Sequence, residues 1–120
     1  MWKRCAEGQN WSGSGCGGAA GTYNWDQAKL LTSTFAGKSD WRTPTEEELL
    51  SLVDYTNSSP AINTAIFPTT PDSVFWSTSA VANDSAYGWV VRFNLGDAAS
   101  RAGFCLVTWG ANSRQFFKAY

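Results

Sequence analysis

The sequence predicts an α+β domain in which two helices pack on a small twisted antiparallel sheet, with long ordered loops between the elements. Three observations predict it. Two helix-start signatures, Asn24 with Gln27 and Thr45 with Glu48, each precede apolar residues at helical spacing. Two β-rich segments, Val74-Phe-Trp-Ser-Thr-Ser79 and Tyr87-Gly-Trp-Val-Val-Arg-Phe93, follow in the C-terminal half. Aromatic residues reach 15% beside 11 glycines, a mixture suited to large rings that hold long connections in place. At 120 residues, 43% hydrophobic and 16% charged, the chain is long and apolar enough to bury a core and is expected to form a single domain over residues 1–120.

From the N-terminus, Cys5 and Cys16 bracket a stretch rich in Gly, Ser and Asn that cannot form a core and would be floppy unless stapled. A disulfide there would remove on the order of 3 kcal/mol of unfolded-state entropy. Buried reduced thiols remain the alternative that the residues alone leave open. The first helix is expected from Trp25, with Ala28, Leu31 and Phe35 on its buried face, until Gly37 stops it. Trp41-Arg-Thr-Pro-Thr45 reads as an extended lead-in, with Trp41 in the core. The second helix is expected over residues 46–54, with Leu49, Leu50 and Val53 buried. Its glutamates, Glu46, Glu47 and Glu48, are what the macrodipole favours in a first helical turn, so they are read as structural. Residues 55–72 form a long loop pinned by Ile62, Ile66 and Phe67. The two strands then lead through the turn Asn94-Leu-Gly-Asp97 to a third, Gly103-Phe-Cys-Leu-Val107, in a meander. On the second strand Tyr87, Trp89, Val91 and Phe93 share one face.

Composition excludes much chemistry. Nine basic and ten acidic side chains give a net charge of -1, which offers no electrostatic footprint for nucleic acid or anionic lipid. Histidine is absent, which removes Ser/His/Asp and Cys/His catalysis. Cys105 therefore reads as a small buried hydrophobe. Gly13-Ser-Gly-Cys-Gly-Gly18 fits a dinucleotide fingerprint formally, but no strand precedes it and no helix follows. The sequons at Asn10, Asn57 and Asn83 are cheap in a chain so rich in Asn, Ser and Thr. No run approaches the roughly 20 apolar residues of a membrane span and no signal-peptide core opens the chain, so membrane insertion is not expected.

Met1-Trp-Lys-Arg-Cys5, Trp25-Asp-Gln-Ala28, Trp41-Arg-Thr-Pro-Thr45 with Glu48-Leu49, Val53-Asp-Tyr55, Pro60-Ala-Ile-Asn63 and Phe75-Trp-Ser77 together resemble the Lcl C-terminal domain family of bacterial collagen-like adhesins. The resemblance runs from about residue 1 to 93. It implies a C-type-lectin-like fold, on secreted, periplasmic or cell-surface proteins that act in adhesion and ligand display, with no catalytic residues. The oxidising compartment it implies favours the Cys5–Cys16 disulfide. Met1 begins inside the family's first strand, which reads as truncation at the N-terminus or a standalone cassette. Residues 101–107 look more like the closing strand of other C-type-lectin-like proteins than like the family's own.

The function expected is that of a non-enzymatic module presenting a loop-and-strand surface to a carbohydrate or protein ligand. Glutamate-proline-asparagine and tryptophan-asparagine-aspartate segments of calcium-dependent sugar sites are missing, so neither metal nor other cofactor is expected. Asp84, Arg92, Asn94, Asp97 and Arg101 are the expected ligand contacts, because they sit on or beside turns next to strands whose aromatic faces point inward. Two other classes compete. A carboxylate-based hydrolase would use Asp72, Asp84 and Asp97, although turn chemistry explains each of them more simply. An assembly domain would form a homo-oligomer through Phe116, Phe117 and Tyr120.

Overall fold

A computed structural model describes residues 2–35 and 38–111. Strands dominate it. They form three small antiparallel sheets: β1 (Asn10–Trp11) with β2 (Cys16–Gly17); β3 (Thr32–Phe35), β4 (Lys38–Arg42) and β8 (Gly110–Ala111); and β5 (Val74–Val81), β6 (Asp84–Arg92) and β7 (Asp97–Arg101). The helices are short: α1 (Trp25–Leu30) has six residues and α2 (Glu46–Leu50) five. The expected α+β layout of two helices on one sheet, and the C-type-lectin-like fold with it, is therefore corrected to a set of small sheets with two helical turns between them.

Both helices start where the sequence places them. Asn24 Oδ1 accepts from Gln27 N at 2.8 Å while Gln27 Oε1 accepts from Asn24 N at 3.0 Å, and Thr45 and Glu48 repeat the reciprocal arrangement. Both end early. Leu31 turns extended at ψ 133°, and Thr32-Ser-Thr-Phe35, with two β-branched residues, enters strand β3. The second helix stops before Val53, which bridges Ile62 across the following loop. Apolar spacing alone did not separate a continuing helix from a chain that turns back and buries the same residues.

The β5-β6-β7 sheet is buried on both faces. Phe75, Val91 and Phe93 face Leu49, Leu52, Ile62, Phe67, Trp2 and Leu106 on one side, with the Phe75 and Phe93 rings edge to face at 5.4 Å. Trp76 and Val90 face Trp25, Ala28, Cys105 and Val107 on the other. The face expected to point inward does so only at Val91 and Phe93, since Tyr87 is exposed and Trp89 half-buried. Strand β7 occupies the place expected for residues 103–107. These instead pair through single bridges, Cys105 with Tyr23 and Leu106 in parallel alongside Phe75 of β5. Ile62 and Phe67 anchor the long loop as expected.

Residues 41–45 tie these parts together. Trp41 is 1% exposed, pairs with Ser33 and Ala111 in the β3-β4-β8 sheet, and packs against Trp109. Arg42 grips Glu48 through two bonds of 2.8 and 2.7 Å. Thr43 Oγ1 donates to Ala28 O at 2.6 Å, holding α1. Pro44 O accepts from Thr78 N at 2.8 Å, and Glu46 N donates to Ser79 Oγ at 2.9 Å. Those two bonds use a bulge in β5, where Ser77, Thr78 and Ser79 stand opposite Trp89 alone. Trp25 Nε1 donates to Ser77 O at 2.9 Å from a ring that lies against Gly88, where a Cβ would fall 2.4 Å from the indole nitrogen.

Trp41→Ala is expected to cost about 3–5 kcal/mol of unfolding free energy in urea titration, because a fully buried indole at a junction of two sheets leaves a cavity that cannot collapse. A second expectation concerns acid. Hydrogen bonds from Arg42, with further ones from Thr45, pull the Glu48 carboxyl down to about 2. A carboxylate with a depressed folded pKa stabilises above its unfolded value, about 4.3, and that contribution drains away as pH falls toward about 2. Glu48→Gln keeps the cap acceptor but removes the charge. Since the side chain is 41% exposed, the loss at neutral pH should be only about 1 kcal/mol, and melting curves of the variant should decline less steeply between about pH 4.5 and about 2.

Candidate functional site

The N-terminal segment is held in place by the chain that follows residue 106. Glu7 N donates to Val107 O at 2.7 Å, Lys3 N donates to Trp109 O at 3.1 Å, and Trp2 bridges Gly110. Beyond it the chain forms the small β1-β2 hairpin, and a disulfide joins Cys5 to Cys16, with Cα atoms 5.6 Å apart. The expected pairing is thus present, and Cys105 is free and buried, its thiol pushed up by burial.

Stapling this segment creates a cleft of about 370 Å³ lined by Lys3, Glu7, Gln9, Asn10, Trp11, Ser33 and Trp109, together with backbone around Cys5. Its charged groups are fixed. Lys3 Nζ donates to Ser33 Oγ at 2.8 Å and lies over two indoles, 4.6 Å from the Trp109 ring centre and 5.5 Å from that of Trp41. Burial lowers the Lys3 pKa, partly offset by the Glu7 carboxylate. Glu7 Oε2 accepts from Trp109 Nε1 at 2.6 Å. Arg4 stacks its guanidinium on Trp11, 4.5 Å from the ring centre, and is not itself in the cleft lining.

The residues expected to bind ligand lie elsewhere and do not converge. Arg92 and Asp97 come together as a cross-strand pair, Nε to Oδ1 at 2.6 Å with a second bond from Nη2 to Oδ2. Arg92 holds the Asp97 carboxyl below the usual carboxylate range. Asn94 stands exposed on the adjoining turn. Asp84 begins β6 eight residues from Arg92, roughly 26 Å along an extended strand, and accepts from Ala86 N at 3.1 Å. Arg101 pairs with Gly88 partway between them. Of the three carboxylates of the hydrolase reading, Asp84 lies at the far end of β6 from Asp97, while Asp72 precedes Val74, which pairs with Arg92 at the Asp97 end. No group of three metal-ligating side chains occurs among the described residues. Phe116, Phe117 and Tyr120, the residues of the assembly reading, lie outside the described residues.

The cleft residues were missed because they come from three distant segments, 3–11, Ser33 and Trp109. One sequence signal pointed to them: Trp11 is a large ring inside a Gly/Ser loop with no core of its own.

Fold and cleft define a class, a small disulfide-stapled β domain that displays a polar and aromatic surface. The chain belongs to the Lcl C-terminal domain family, which matches residues 1–107. This span passes residue 93 and takes in residues 101–107, so that segment is part of the family's domain and not a departure from it. Membership suggests a non-enzymatic, adhesin-like domain. No curated protein and no solved structure matches the chain.

Cys16→Ser is expected to lower stability by about 3 kcal/mol, measured by denaturant titration under non-reducing conditions.

Proposed function

We propose that the chain is a non-enzymatic binding module for adhesion, displayed on a secreted or cell-surface protein, and that the cleft beside the Cys5–Cys16 staple receives a carbohydrate or protein ligand. The observation that carries this reading is the preorganised lining. Lys3, Glu7 and Trp109 lock one another, and Arg4 braces Trp11, so a ligand would meet side chains already in position and their ordering would cost little on binding. The volume of about 370 Å³ falls in the range of small-ligand sites, about 300–1,000 Å³. A disulfide supports an oxidising compartment, where adhesive domains act. Support for a non-enzymatic role comes from family membership.

The test is a combined glycan and peptide array probed with wild type and with the double variant Asn10→Ala/Trp11→Ala. The cleft reading expects the variant to lose at least about tenfold in affinity for whatever the wild type binds while keeping its melting temperature within a few degrees. Equal binding by both proteins would move the site away from the cleft.

A further inference from the structure

We propose that the Cys5–Cys16 disulfide is a redox latch on the cleft: a dithiol that reduces it releases the β1-β2 hairpin and parts the walls of the cleft, while the rest of the domain stays folded. The proposal stands on packing and holds whatever the cleft receives. The two cysteines are held differently. Cys5 is buried, and the chain on either side of it is tied to residues ahead of β8, Lys3 N to Trp109 O and Glu7 N to Val107 O. Cys16 is half-buried on a hairpin without a core of its own, since no residue from Glu7 to Ala19 is buried. Strands β1 and β2 have two residues each, and the bonds from Ser12 N to Gly15 O and from Gln9 Nε2 to Gly18 O stay within the hairpin. It reaches the rest of the protein through Cys16 N, which donates to Thr69 Oγ1 at 2.7 Å on the exposed surface, and through Trp11, which lies against the Arg4 guanidinium. Both contacts are of the modest, solvent-accessible kind. Against them, five of the eleven residues from Gly8 to Gly18 are glycine, the residue that regains most backbone freedom on release. The disulfide offsets that entropy, and without it the remaining contacts are too few to do so.

The chemistry is thiol–disulfide exchange. A thiolate of the dithiol attacks Sγ of Cys16, the more exposed cysteine of the pair. The bond between the two protein sulfurs breaks, its electron pair leaves on Cys5 Sγ, and that sulfur takes up a proton. The second thiolate of the reductant then attacks the sulfur joined to Cys16, expels the Cys16 thiolate, which is protonated in turn, and closes the reductant's own disulfide. The protein gains two electrons and two protons, which the dithiol loses. The walls of the cleft then separate unequally. Glu7 stays, held by its backbone bond to Val107 and by Trp109 Nε1, and Lys3 stays on Ser33. Gln9, Asn10 and Trp11 leave with the hairpin, and with them one side of the lining.

The experiment compares the oxidised chain, the same protein in millimolar dithiothreitol, and Cys16→Ser, by amide NMR spectra and by chymotrypsin cleavage after Trp11 read by mass, all under native conditions. Reduction should move the amides of Gln9 to Gly18 to unstructured positions and leave those of β5, β6 and β7 in place. Cleavage after Trp11 should speed up at least about tenfold, because the hairpin is then open for most of the time. Cys16→Ser should show the same open hairpin without reductant and no further response to it. Reoxidation of the wild type with glutathione disulfide should restore the first spectrum. A disulfide that resists the dithiol would overturn the proposal, as would a reduced chain whose hairpin amides and cleavage rate are unchanged. Loss of the β5, β6 and β7 amides on reduction would overturn it too, since the bond would then hold the whole fold and not the hairpin.

Discussion

Everything in this fold hangs from five consecutive residues. Trp41 lies in one sheet, Arg42 reaches into the first turn of α2, Thr43 holds α1, Pro44 accepts from the bulge of β5, and Thr45 caps α2. The hydrogen bonds among them are individually modest, each netting only about 1 kcal/mol. Their value is that one rigid stretch of chain, with a proline in the middle, satisfies backbone groups from both helices and two sheets at once. Small sheets of two or three strands are marginal alone, and a shared strut lets each bury its face against the others. The segment that makes the family recognisable is therefore one of architecture. Its residues are spent inward.

The cleft and this architecture are accordingly divided along the chain. The cleft is built from the stapled N-terminal loop, a β3 residue and Trp109, and its lining meets the 41–45 strut at Trp41, which pairs with Ser33, packs against Trp109 and lies under the Lys3 ammonium. That one indole couples the cleft to the core. Asn10 stands exposed farther out on the hairpin, and Trp11 beside it is half-buried against Arg4.

How much of this was legible depended on range in sequence. Both capping boxes are interactions over three residues and were read correctly, as was the disulfide over 11 positions. The buried anchors Ile62 and Phe67, and Trp41 itself, were equally visible as large apolar side chains in polar surroundings. What failed was longer range or lower contrast. Strand β7, Asp97-Ala-Ala-Ser-Arg101, has no large apolar residue and pairs only because β6 supplies an edge. Strand β8 needs Gly110 beside Arg42, a pairing no local pattern encodes. Charged residues near turns marked residues 83–101 as expected contacts, and Arg92 and Asp97 pair with each other there, while the cleft required knowing that Trp109 lies beside Lys3.

The distribution of indoles has a spectroscopic consequence. Of the seven tryptophans, Trp2, Trp25, Trp41, Trp76 and Trp109 are buried, while Trp11 and Trp89 are half-exposed. Trp25, Trp76 and Trp109 each donate their ring N–H to an oxygen inside the protein. Emission from the folded domain is thus dominated by chromophores shielded from aqueous quenchers, over which two accessible rings on different sheets add a small quenchable fraction. One of those two stands in the cleft and the other on β6, so the domain carries its own optical label in the cleft.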